Sequence, residues 1–465
     1  ACGLAKARDL KGGHENIIAV IGDGSLSGGE AYEGLSNAGE MGTNLIIVVN
    51  DNEMSIAENH GGLYQNLKEL RDTEGRSSCN FFRSLGLDYL YVGEGNDIPS
   101  LVAAFAKVKD TSRPTVVHIH TQKGKGYAPA EADREEFHWE MPFDLETGKP
   151  KVDCSGMEDY HSLTGKFLLE KMKEDHTVVA ISSGTPTVIG FTPERRKQAG
   201  RQFVDVGIAE EHAVALASGI AAGGGRPVYG VYSTFIQRCY DQLSQDLCIN
   251  GNPAVITVFM GTVAGMNDVT HLGFFDIPLI SNIPNMVYLA PTCSEEYFAM
   301  LEWAVRQTEY PVAIRVPGVA VVHRKEEFDT DYSELNRYKM TARGETVAIL
   351  ALGSFYDLGQ ALKNKLREES GVEATLINPR YITGLDEPML EELKVGHRIV
   401  VTLEDGVLDG GFGEKIARYY GNSEMRVLNY GLRKEFADRY NLDELMKANR
   451  LTDKQMAEDI AGILE

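Results

Sequence analysis

Cysteine is scarce and scattered in this chain of 465 residues. No two of the six cysteines have the CxxC spacing of zinc and redox motifs, which argues against sites of that kind. The simplest interpretation is reduced thiols in a cytoplasmic protein. The cysteines are Cys2, Cys79, Cys154, Cys239, Cys248 and Cys293.

Long apolar runs and an excess of positive charge are also missing. No stretch reaches the roughly 18 uncharged apolar residues of a membrane span, and residues 1–8 indicate an amphipathic helix instead of a secretory signal. With 68 acidic and 46 basic residues, the formal net charge is −22. This charge argues against nucleic acid as a partner, although local basic side chains can still bind an anionic substrate. We expect small-molecule substrates and neither a nucleic-acid nor a membrane partner.

Strand-like and helix-like runs alternate along the chain, which predicts an α/β fold with mainly parallel sheets. The composition, 43% hydrophobic and 25% charged, is that of an ordinary globular protein. A polar stretch at 140–156, with two prolines and two glycines, predicts a linker. A charged connector follows at 324–343. We therefore predict three domains, at 1–150, 156–322 and 340–465.

Two hydrophobic runs end in polar turns, Gly22-Asp23-Gly24 and Asn50-Asp51-Asn52. Each run predicts a buried parallel strand, and carboxyl ends of parallel strands meet at one edge of a sheet. Side-chain oxygens of Asp23 and Asn52 suit Mg²⁺, which also takes phosphate oxygens from its ligand. The glycines allow close approach of a diphosphate, and the helix starting near Gly28 or Gly29 directs N–H groups at an anion. The alternative is a glycine-rich turn without a ligand.

Two further segments place polar or aromatic side chains at strand ends. Glu210 lies where a strand meets an Ala- and Gly-rich helix. It is either a helix cap or, because the GDG and NDN turns together resemble the thiamine diphosphate signature, a carboxylate implied to bond the aminopyrimidine nitrogen of that cofactor and to favour the tautomer that deprotonates the thiazolium carbon. After the next strand, Tyr232 and Phe235 are either core aromatics or, for Phe235, a ring that stacks on a pyrimidine. Arg238 is suited to holding a substrate anion.

Motifs across nearly the whole chain resemble those of the 1-deoxy-D-xylulose-5-phosphate synthase family, transketolase relatives that use thiamine diphosphate. They include VIGDGSLSGGEAYEGLSNAG, NDNEMSI, KGKGYAPAE, FVDVGIAEEHAV and YSTFIQRCYDQ. The resemblance implies a transketolase-like fold that binds thiamine diphosphate and Mg²⁺, a homodimer, and carboligation of pyruvate with glyceraldehyde 3-phosphate as CO₂ is lost.

The resemblance also implies roles for individual residues. The implied Mg²⁺ ligands are Asp23, Asn52 and the backbone oxygen of Met54. Implied cofactor contacts are Gly24, Ser25, Asn52, Tyr127, Glu210 and Phe235. Positions implied to face the substrates are His138, Tyr232, Arg238 and His271, with Glu210 also counted as catalytic.

The histidines divide into two groups. For His138 and His271 we favour function, because a poised imidazole suits the proton transfers of carboligation. Structural or surface positions are predicted for His60, His118, His120 and His161.

The region expected to hold the acceptor phosphate departs from the family pattern. The family's Asp-Arg pair falls on Phe259-Met260, and the second Arg of its Arg-Tyr-Pro-Arg-Gly segment is Gly318. Only Arg238 remains of three expected arginines. Losing two charged hydrogen bonds, each worth about 1.5–3 kcal/mol, would weaken binding of glyceraldehyde 3-phosphate by orders of magnitude unless other residues compensate. The candidates for compensation are Lys123, Lys125 and Arg134.

Three other departures concern loops and the chain start. An Asp expected four residues before His271 is Asn267, with Asp268 adjacent. Residues 59–81 lack a longer family insertion, a loss expected to open the site. We also expect the first domain to be incomplete at its N-terminus, because the family's upstream histidines and glycine-histidine turn are absent from this sequence.

Four functions remain under comparison. The leading one is carboligation of pyruvate with glyceraldehyde 3-phosphate. The second keeps the cofactor but changes the acceptor, or transfers a ketol unit from a ketose as transketolase does. The third, from another class, is a catalytically silent paralogue that serves as a binding subunit. A nicotinamide dehydrogenase is least favoured, because no strand is followed by GxGxxG and a suitably spaced acidic residue.

Overall fold

The computed structural model describes residues 1–152 and 156–464, and the chain forms two compact units. The first unit comprises Ala1–Met157, Ser183–Pro186 and Asp205–Glu210; the second comprises Glu158–Ser182, Thr187–Val204 and Glu211–Glu465. Cys154 and part of the predicted linker lie outside the described residues. The five other cysteines are free thiols.

The first unit contains a four-stranded parallel sheet in the order β1-β2-β4-β3. Its strands are β1 (Ile18–Gly22), β2 (Ile46–Asp51), β3 (Asp88–Val92) and β4 (Thr115–His120). Its helices are α1 (Cys2–Leu10), α2 (Gly29–Glu40), α3 (Gly62–Asp72), α4 (Phe81–Ser84), α5 (Ile98–Val108) and α6 (Ala128–Ala132). Short 3₁₀ turns occupy Gly24–Ser27 and Glu136–His138.

Local sequence signals fix several of these helix ends. Helix α5 begins where the side chain of Asp97 accepts the backbone N–H of Ser100 at 2.9 Å, and a proline lies in its first turn. Helix α4 begins after Asn80, whose side-chain oxygen accepts the N–H groups of Phe82 and Arg83. The helices pack on the sheet around separate hydrophobic clusters, one with Leu35 and Val49 and another with Ile46 and Val117.

Strand β1 corrects one prediction. The sequence predicted a buried strand, but Ile18 is 53% exposed and Val20 is 73% exposed. The reason is the position of β1 at the edge of the sheet: in the described part of the chain it pairs with β2 alone. Strand β2, between β1 and β4, is the buried strand that its apolar sequence predicts.

The second unit contains two sheets. The six-stranded sheet has the order β6-β5-β7-β8-β10-β9 and is parallel along β5-β7-β8-β10-β9. Its strands are β5 (Val178–Ser182), β6 (Phe203–Asp205), β7 (Arg226–Tyr232), β8 (Val255–Phe259), β9 (Val287–Leu289) and β10 (Val312–Arg315). Associated helices are α7 (Tyr160–Glu174), α8 (Pro193–Ala199), α9 (Glu210–Ala222), α10 (Asp276–Ser281) and α11 (Ser294–Arg306), with a π-helix at Gln242–Cys248.

The five-stranded sheet has the order β11-β13-β12-β14-β15 and is parallel except for its edge strand β11. Its strands are β11 (Lys339–Ala342), β12 (Thr346–Ala351), β13 (Thr375–Asn378), β14 (His397–Val407) and β15 (Arg426–Leu432). Its helices are α12 (Tyr356–Ser370), α13 (Glu387–Gly396), α14 (Phe412–Tyr420), α15 (Leu442–Ala448) and α16 (Asp453–Leu464). In the part of the chain that the structure describes, no helix is both long and apolar enough to cross a membrane.

Candidate active site

The turn after β1 buries a carboxylate. Asp23 is 1% exposed, and its Oδ2 accepts a hydrogen bond from Asn59 Nδ2 at 2.7 Å. Burial, with the charge of Asp51 nearby, raises the pKa of Asp23 to about 6. A cation at this carboxylate would stabilise its charged form, so the electrostatics favour a metal ligand here.

The other two predicted metal ligands follow β2. The backbone N–H of Asp23 donates to Asn50 O at 3.1 Å, so the ends of β1 and β2 are joined directly. Asn52 Oδ1 accepts the N–H of Met54 at 3.2 Å, which folds this loop into a tight turn. A carboxylate, an amide oxygen and a carbonyl oxygen form the hard donor set that Mg²⁺ prefers. Among the described residues, no group of three His, Cys, Asp or Glu is arranged to hold a metal ion.

The turn around Gly24 is closely packed against the loop that follows Asn52. A Cβ on Gly24 would lie 2.8 Å from Ser55 Cβ, closer than real side chains approach. Tyr64 Oη donates to the carbonyl oxygens of Asp23 and Gly24 at 3.1 and 3.2 Å. Ser25, the other predicted diphosphate contact, is exposed on the turn.

Buried polar atoms in the first unit also fit a polar ligand. Ser55 Oγ and Asn59 Oδ1, on two of the residues beside the Asp23-Gly24 turn, are buried and have no hydrogen-bond partner among the described residues. Tyr127 Oη, predicted to contact the cofactor, is unpartnered in the same way. Since buried polar groups normally have partners, these atoms are suited to a bound polar group.

Lys123 and His138 form a hydrogen-bonded pair in the first unit. Lys123 Nζ donates to Ser55 O at 2.6 Å and lies 3.1 Å from His138 Nδ1. An ammonium group has only donors, so Nδ1 must accept and the ring proton must lie on Nε2. Burial, and secondarily the charge of Lys123, lower the pKa of His138, which favours neutral imidazole. The sequence named Lys123 only as a possible phosphate ligand and missed this role.

Ser27 links the first turn to the segment that precedes Glu210. Its Oγ donates to Gly24 O at 2.7 Å and accepts the N–H of Ile208 at 2.9 Å. Asp205 Oδ1 shapes the same segment by accepting the N–H of Gly207 at 2.8 Å. Glu210 begins α9 and is 3% exposed. Sequence analysis did not single out Ser27, because nothing in a serine near a glycine turn indicates a partner 181 residues away.

A cavity of about 910 Å³ lies beside this turn in the first unit. Residues of the short segment 59–81, including Asn66 and Phe81, line it together with Ser27 and Gly28. That the shorter segment 59–81 opens the site stays a prediction; the cavity shows only that residues of this segment line open space.

In the second unit, three of the predicted residues form one aromatic cluster. The ring centroids of Tyr232 and Phe235 are 5.6 Å apart, and those of Phe235 and His271 are 5.5 Å apart. Tyr232 ends β7, and Phe235 and Arg238 lie on the 3₁₀ turn Phe235–Cys239. Arg238 is exposed. Tyr232 also meets His161, whose ring stacks on Phe259 at 4.8 Å.

His271 has a defined partner. Its Nδ1 lies 3.2 Å from Asp268 Oδ1 and 2.8 Å from Thr270 Oγ1. A carboxylate accepts only, so Nδ1 carries a proton toward Asp268 and Nε2 is the nitrogen left to accept one. The neighbouring Thr270 hydroxyl, more than His271, lowers the pKa of Asp268 and keeps this carboxylate charged.

The departures from the family pattern have structural counterparts in the second unit. Met260 has φ +56°, a left-handed conformation unusual for a side chain of this size, and Gly318 has φ +58°. Arg315 is 4% exposed, and its Nε donates to Asp276 Oδ2 at 2.7 Å. Its Nη2 donates to Asp405 O at 2.5 Å, so this guanidinium is engaged inside the protein.

Two of the histidines predicted to be structural have internal partners. His118 is fully buried between Tyr89 Oη and Asp51 Oδ2, and Asp51 also pairs with Arg71. His161 Nδ1 lies 2.7 Å from Val188 O.

Three family models match the chain. The model described as 1-deoxy-D-xylulose-5-phosphate synthase matches residues 1–80, that of the transketolase pyrimidine-binding domain matches 158–321, and that of the transketolase C-terminal domain matches 337–456.

Curated relatives are similar along the whole chain. The 1-deoxy-D-xylulose-5-phosphate synthase of Clostridium tetani is 34% identical over 503 residues, which cover 100% of this chain and 80% of that protein. Synthase 1 of Geobacter sulfurreducens is 35% identical, with coverage of 94% and 74%.

Solved structures show the fold. A split-gene transketolase, described as an inactive β4 tetramer, superposes with a TM-score of 0.55 and 20% identity over 66% of this chain and 98% of that chain. The Pichia stipitis transketolase in complex with sedoheptulose 7-phosphate gives a TM-score of 0.54 and 15% identity over 96% and 76%. The transketolase-like α/β fold predicted from the sequence is therefore confirmed.

Proposed function

The chain belongs to the 1-deoxy-D-xylulose-5-phosphate synthase family, and we propose that it condenses pyruvate with glyceraldehyde 3-phosphate to 1-deoxy-D-xylulose 5-phosphate and CO₂, with thiamine diphosphate and Mg²⁺. The observation that carries the proposal is the turn after β1. There a buried Asp23 joins the end of β2, and Ser27 bonds the segment leading to Glu210. This arrangement supports a Mg²⁺–diphosphate site close to a carboxylate suited to a pyrimidine.

The first unit would hold the cofactor. Asp23, Asn52 and the carbonyl of Met54 would bind Mg²⁺, and Gly24 and Ser25 would bind the diphosphate. Glu210 would accept a hydrogen bond from the protonated pyrimidine ring. When bound, thiamine diphosphate supplies a carbon nucleophile and an electron sink for decarboxylation and carbon–carbon bond formation.

His138 and His271 carry the ring proton on different nitrogens, so they would play different roles. His138, neutral with its proton on Nε2, would donate a hydrogen bond to a developing oxyanion. His271, oriented by Asp268 through Nδ1, would accept or return a proton at Nε2. Tyr232 and Phe235 would form an apolar wall, and Arg238 would hold a substrate anion.

A second candidate, carboligation onto an aldehyde without a phosphate, is favoured by one observation. Met260 has no charge to offer, and the guanidinium of Arg315 is bound to Asp276 and Asp405. Of the positions expected to contact an acceptor phosphate, Arg238 alone retains an arginine.

Three coarser features are also proposed. We infer three domains, at 1–150, 156–322 and 340–465; each of the three sheets lies in one of these ranges, except for Lys339 at the start of β11. We infer a homodimer from the family resemblance, testable by sedimentation equilibrium as a particle of twice the chain mass. A cytoplasmic location is in keeping with the free thiols.

The test is CO₂ release and product mass from full-length protein given thiamine diphosphate, Mg²⁺ and pyruvate, with glyceraldehyde 3-phosphate or glyceraldehyde as acceptor. We expect CO₂ and 1-deoxy-D-xylulose 5-phosphate. Equal rates with the two aldehydes would favour the second candidate. No turnover of pyruvate or of ketose donors, together with no cofactor binding, would contradict both and support a silent paralogue.

A further inference from the structure

The loop that carries His271 is packed on the five-stranded sheet. Residues 261–275, here called the His271 loop, leave β8 of the six-stranded sheet. Their apolar side chains Val263, Leu272 and Phe274 nevertheless belong to the hydrophobic cluster around β12 and β14. These three side chains are at most 3% exposed. The loop is therefore stabilised by packing on the five-stranded sheet, although it follows a strand of the six-stranded sheet.

A short segment of the five-stranded region also bonds to the loop. Residues 438–440, here called the tether segment, precede α15. The N–H of Arg439 donates to Asn267 O at 2.6 Å, and Asp438 Oδ1 accepts the N–H of Val269 at 3.2 Å. Tyr440 Oη donates to Val263 O at 2.8 Å. Arg439 itself has φ +48°, an uncommon conformation that these bonds hold in place.

Asn267 explains one departure from the family pattern. Its Nδ2 donates to Tyr440 O at 3.0 Å, a bond that requires a donor on the side chain. An aspartate at this position would set a carboxylate against that carbonyl oxygen, because a charged carboxylate only accepts hydrogen bonds. The next residue, Asp268, is the carboxylate that bonds His271. Asn267 therefore bonds the tether segment, while its neighbour Asp268 bonds His271.

We propose that the tether segment is a positioning element for His271, with Asn267 and Tyr440 as its positioning residues. The proposal rests on the proposed function, in which His271 transfers a proton. The segment holds the loop in one conformation through its bonds at residues 263, 267 and 269. Asp268, on the same loop, can then orient the imidazole of His271. Neither Asn267 nor Tyr440 contacts His271 in the described contacts, so both act through the loop.

The test compares Tyr440→Phe and Asn267→Asp with Tyr419→Phe as the matched control. Tyr419, on α14, also uses its hydroxyl, which donates a hydrogen bond to Glu391 on α13. Hydrogen–deuterium exchange of the holoenzyme should show amides of the His271 loop exchanging about fivefold faster in the first two variants, the change expected for loss of one ordinary hydrogen bond. Helix α16 should be unchanged. The carboligation kcat should fall by a similar factor while the affinity for thiamine diphosphate stays constant.

The outcomes separate the proposals. Unchanged exchange of the loop in both variants would overturn the tether, whatever the activity. Faster exchange of the loop with wild-type kcat would show that the tether segment does not position His271. Equally faster exchange of α16 would show that the substitutions lower the stability of the whole protein and do not act on the loop in particular. If wild-type protein releases no CO₂ from pyruvate, the proposed function fails, while faster exchange confined to the loop still supports the tether.

Discussion

The hydrogen bond between Lys123 and His138 determines which imidazole nitrogen carries the proton. We expect Lys123→Met to lower kcat for carboligation by about 10- to 100-fold, because loss of a charged hydrogen bond costs about 1.5–3 kcal/mol and frees the ring to adopt the other tautomer. Removing the positive charge should also raise the pKa of His138, since that charge contributes to lowering it. Nitrogen-15 NMR of histidine-labelled protein reports both effects.

Lys125→Met is the control for this change. Lys125 is exposed, and its Nζ donates a hydrogen bond to Gln122 Oε1 at 3.3 Å. Equal losses in the two variants would indicate a general effect of charge and contradict the specific role of Lys123.

Glu210 offers a second test of a single residue, with a neighbour as its control. We expect Glu210→Gln to lower the rate of CO₂ release from pyruvate by about 10²–10⁴-fold, the range in which acid–base groups contribute. Glu211→Gln, one position further along α9, should stay close to wild type. If Glu210→Gln releases CO₂ at the wild-type rate, Glu210 has no catalytic role and serves only as a helix cap.

Sequence reasoning could propose site residues that lie in motifs, but it could not propose the contacts that tertiary packing adds around them. Asp23 and Asn52 were recognisable because strand ends and glycines surround them. Ser27, and the bond between Lys123 and His138, were not recognisable, because the contacts of Ser27 with Ile208 and of Lys123 with His138 follow from tertiary packing that no local pattern encodes.

At the level of elements, the turn Gly24–Ser27 depends on the absence of a side chain. We expect Gly24→Ala to lower the free energy of unfolding by about 1–3 kcal/mol, the usual cost of overpacking, because the new Cβ would meet Ser55. The variant should also bind Mg²⁺ and thiamine diphosphate more weakly, as measured by the cofactor-induced rise in Tm.

Gly34→Ala is the counterpart within α2. Nothing lies within 4 Å of a Cβ at Gly34, and alanine is favoured in a helix interior by about 0.5–1 kcal/mol. Its Tm should therefore rise slightly. A Gly24→Ala protein as stable as wild type, with unchanged cofactor binding, would contradict the packing argument.

Most strands and helices were predictable from apolar runs, and the exceptions have physical causes. Strand β4 matches its predicted span of 115–120 because four of its six residues are β-branched, which favours a strand; they are Thr115, Val116, Val117 and Ile119. The burial of β1 was wrong because an edge strand and a central strand can share one sequence pattern. Strand β11 lay hidden in the charged connector, since an antiparallel edge strand needs few apolar residues.

At the scale of the whole molecule, buried ionisable groups link stability to pH. Burial raises the pKa of Glu404 to about 7 from an ordinary value of 4.5. The unfolded chain releases this proton at lower pH, so the free energy of unfolding should fall as pH rises from 4.5 to 7, by up to about 1.4 kcal/mol per pH unit. Burial also lowers the pKa of Lys415 to about 8 from 10.5, so Lys415 affects the free energy of unfolding in a separate pH range, between 8 and 10.5.

Glu404→Gln tests this slope by urea unfolding between pH 5 and 7.5. The difference in stability between wild type and variant should shift in favour of the variant as pH rises. Glu414→Gln on the exposed side of α14 should parallel wild type. Parallel curves for Glu404→Gln as well would show that Glu404 titrates normally in the folded protein.

Length, alternation of elements and motif spacing were enough to predict the fold class of the whole chain. The association of the His271 loop with the five-stranded sheet was not predictable, because it joins Asn267 to Tyr440 across 173 residues. Contacts at such separations follow from how the two sheets pack, and a single sequence carries no local signal of that packing.

The engagement of Arg315 bears on whether the protein can be dissected into modules. The guanidinium sits on β10, yet it bonds the carbonyl of Asp405 on β14, and Asp405 Oδ1 in turn accepts the N–H of Val263. A truncated gene ending before β11 would leave a buried cation short of a partner and strip the covering from Val263, Leu272 and Phe274. The C-terminal sheet therefore cannot be exchanged freely in chimeras. A replacement domain must supply both a hydrogen-bond acceptor for Arg315 and an apolar surface on which the His271 loop can pack.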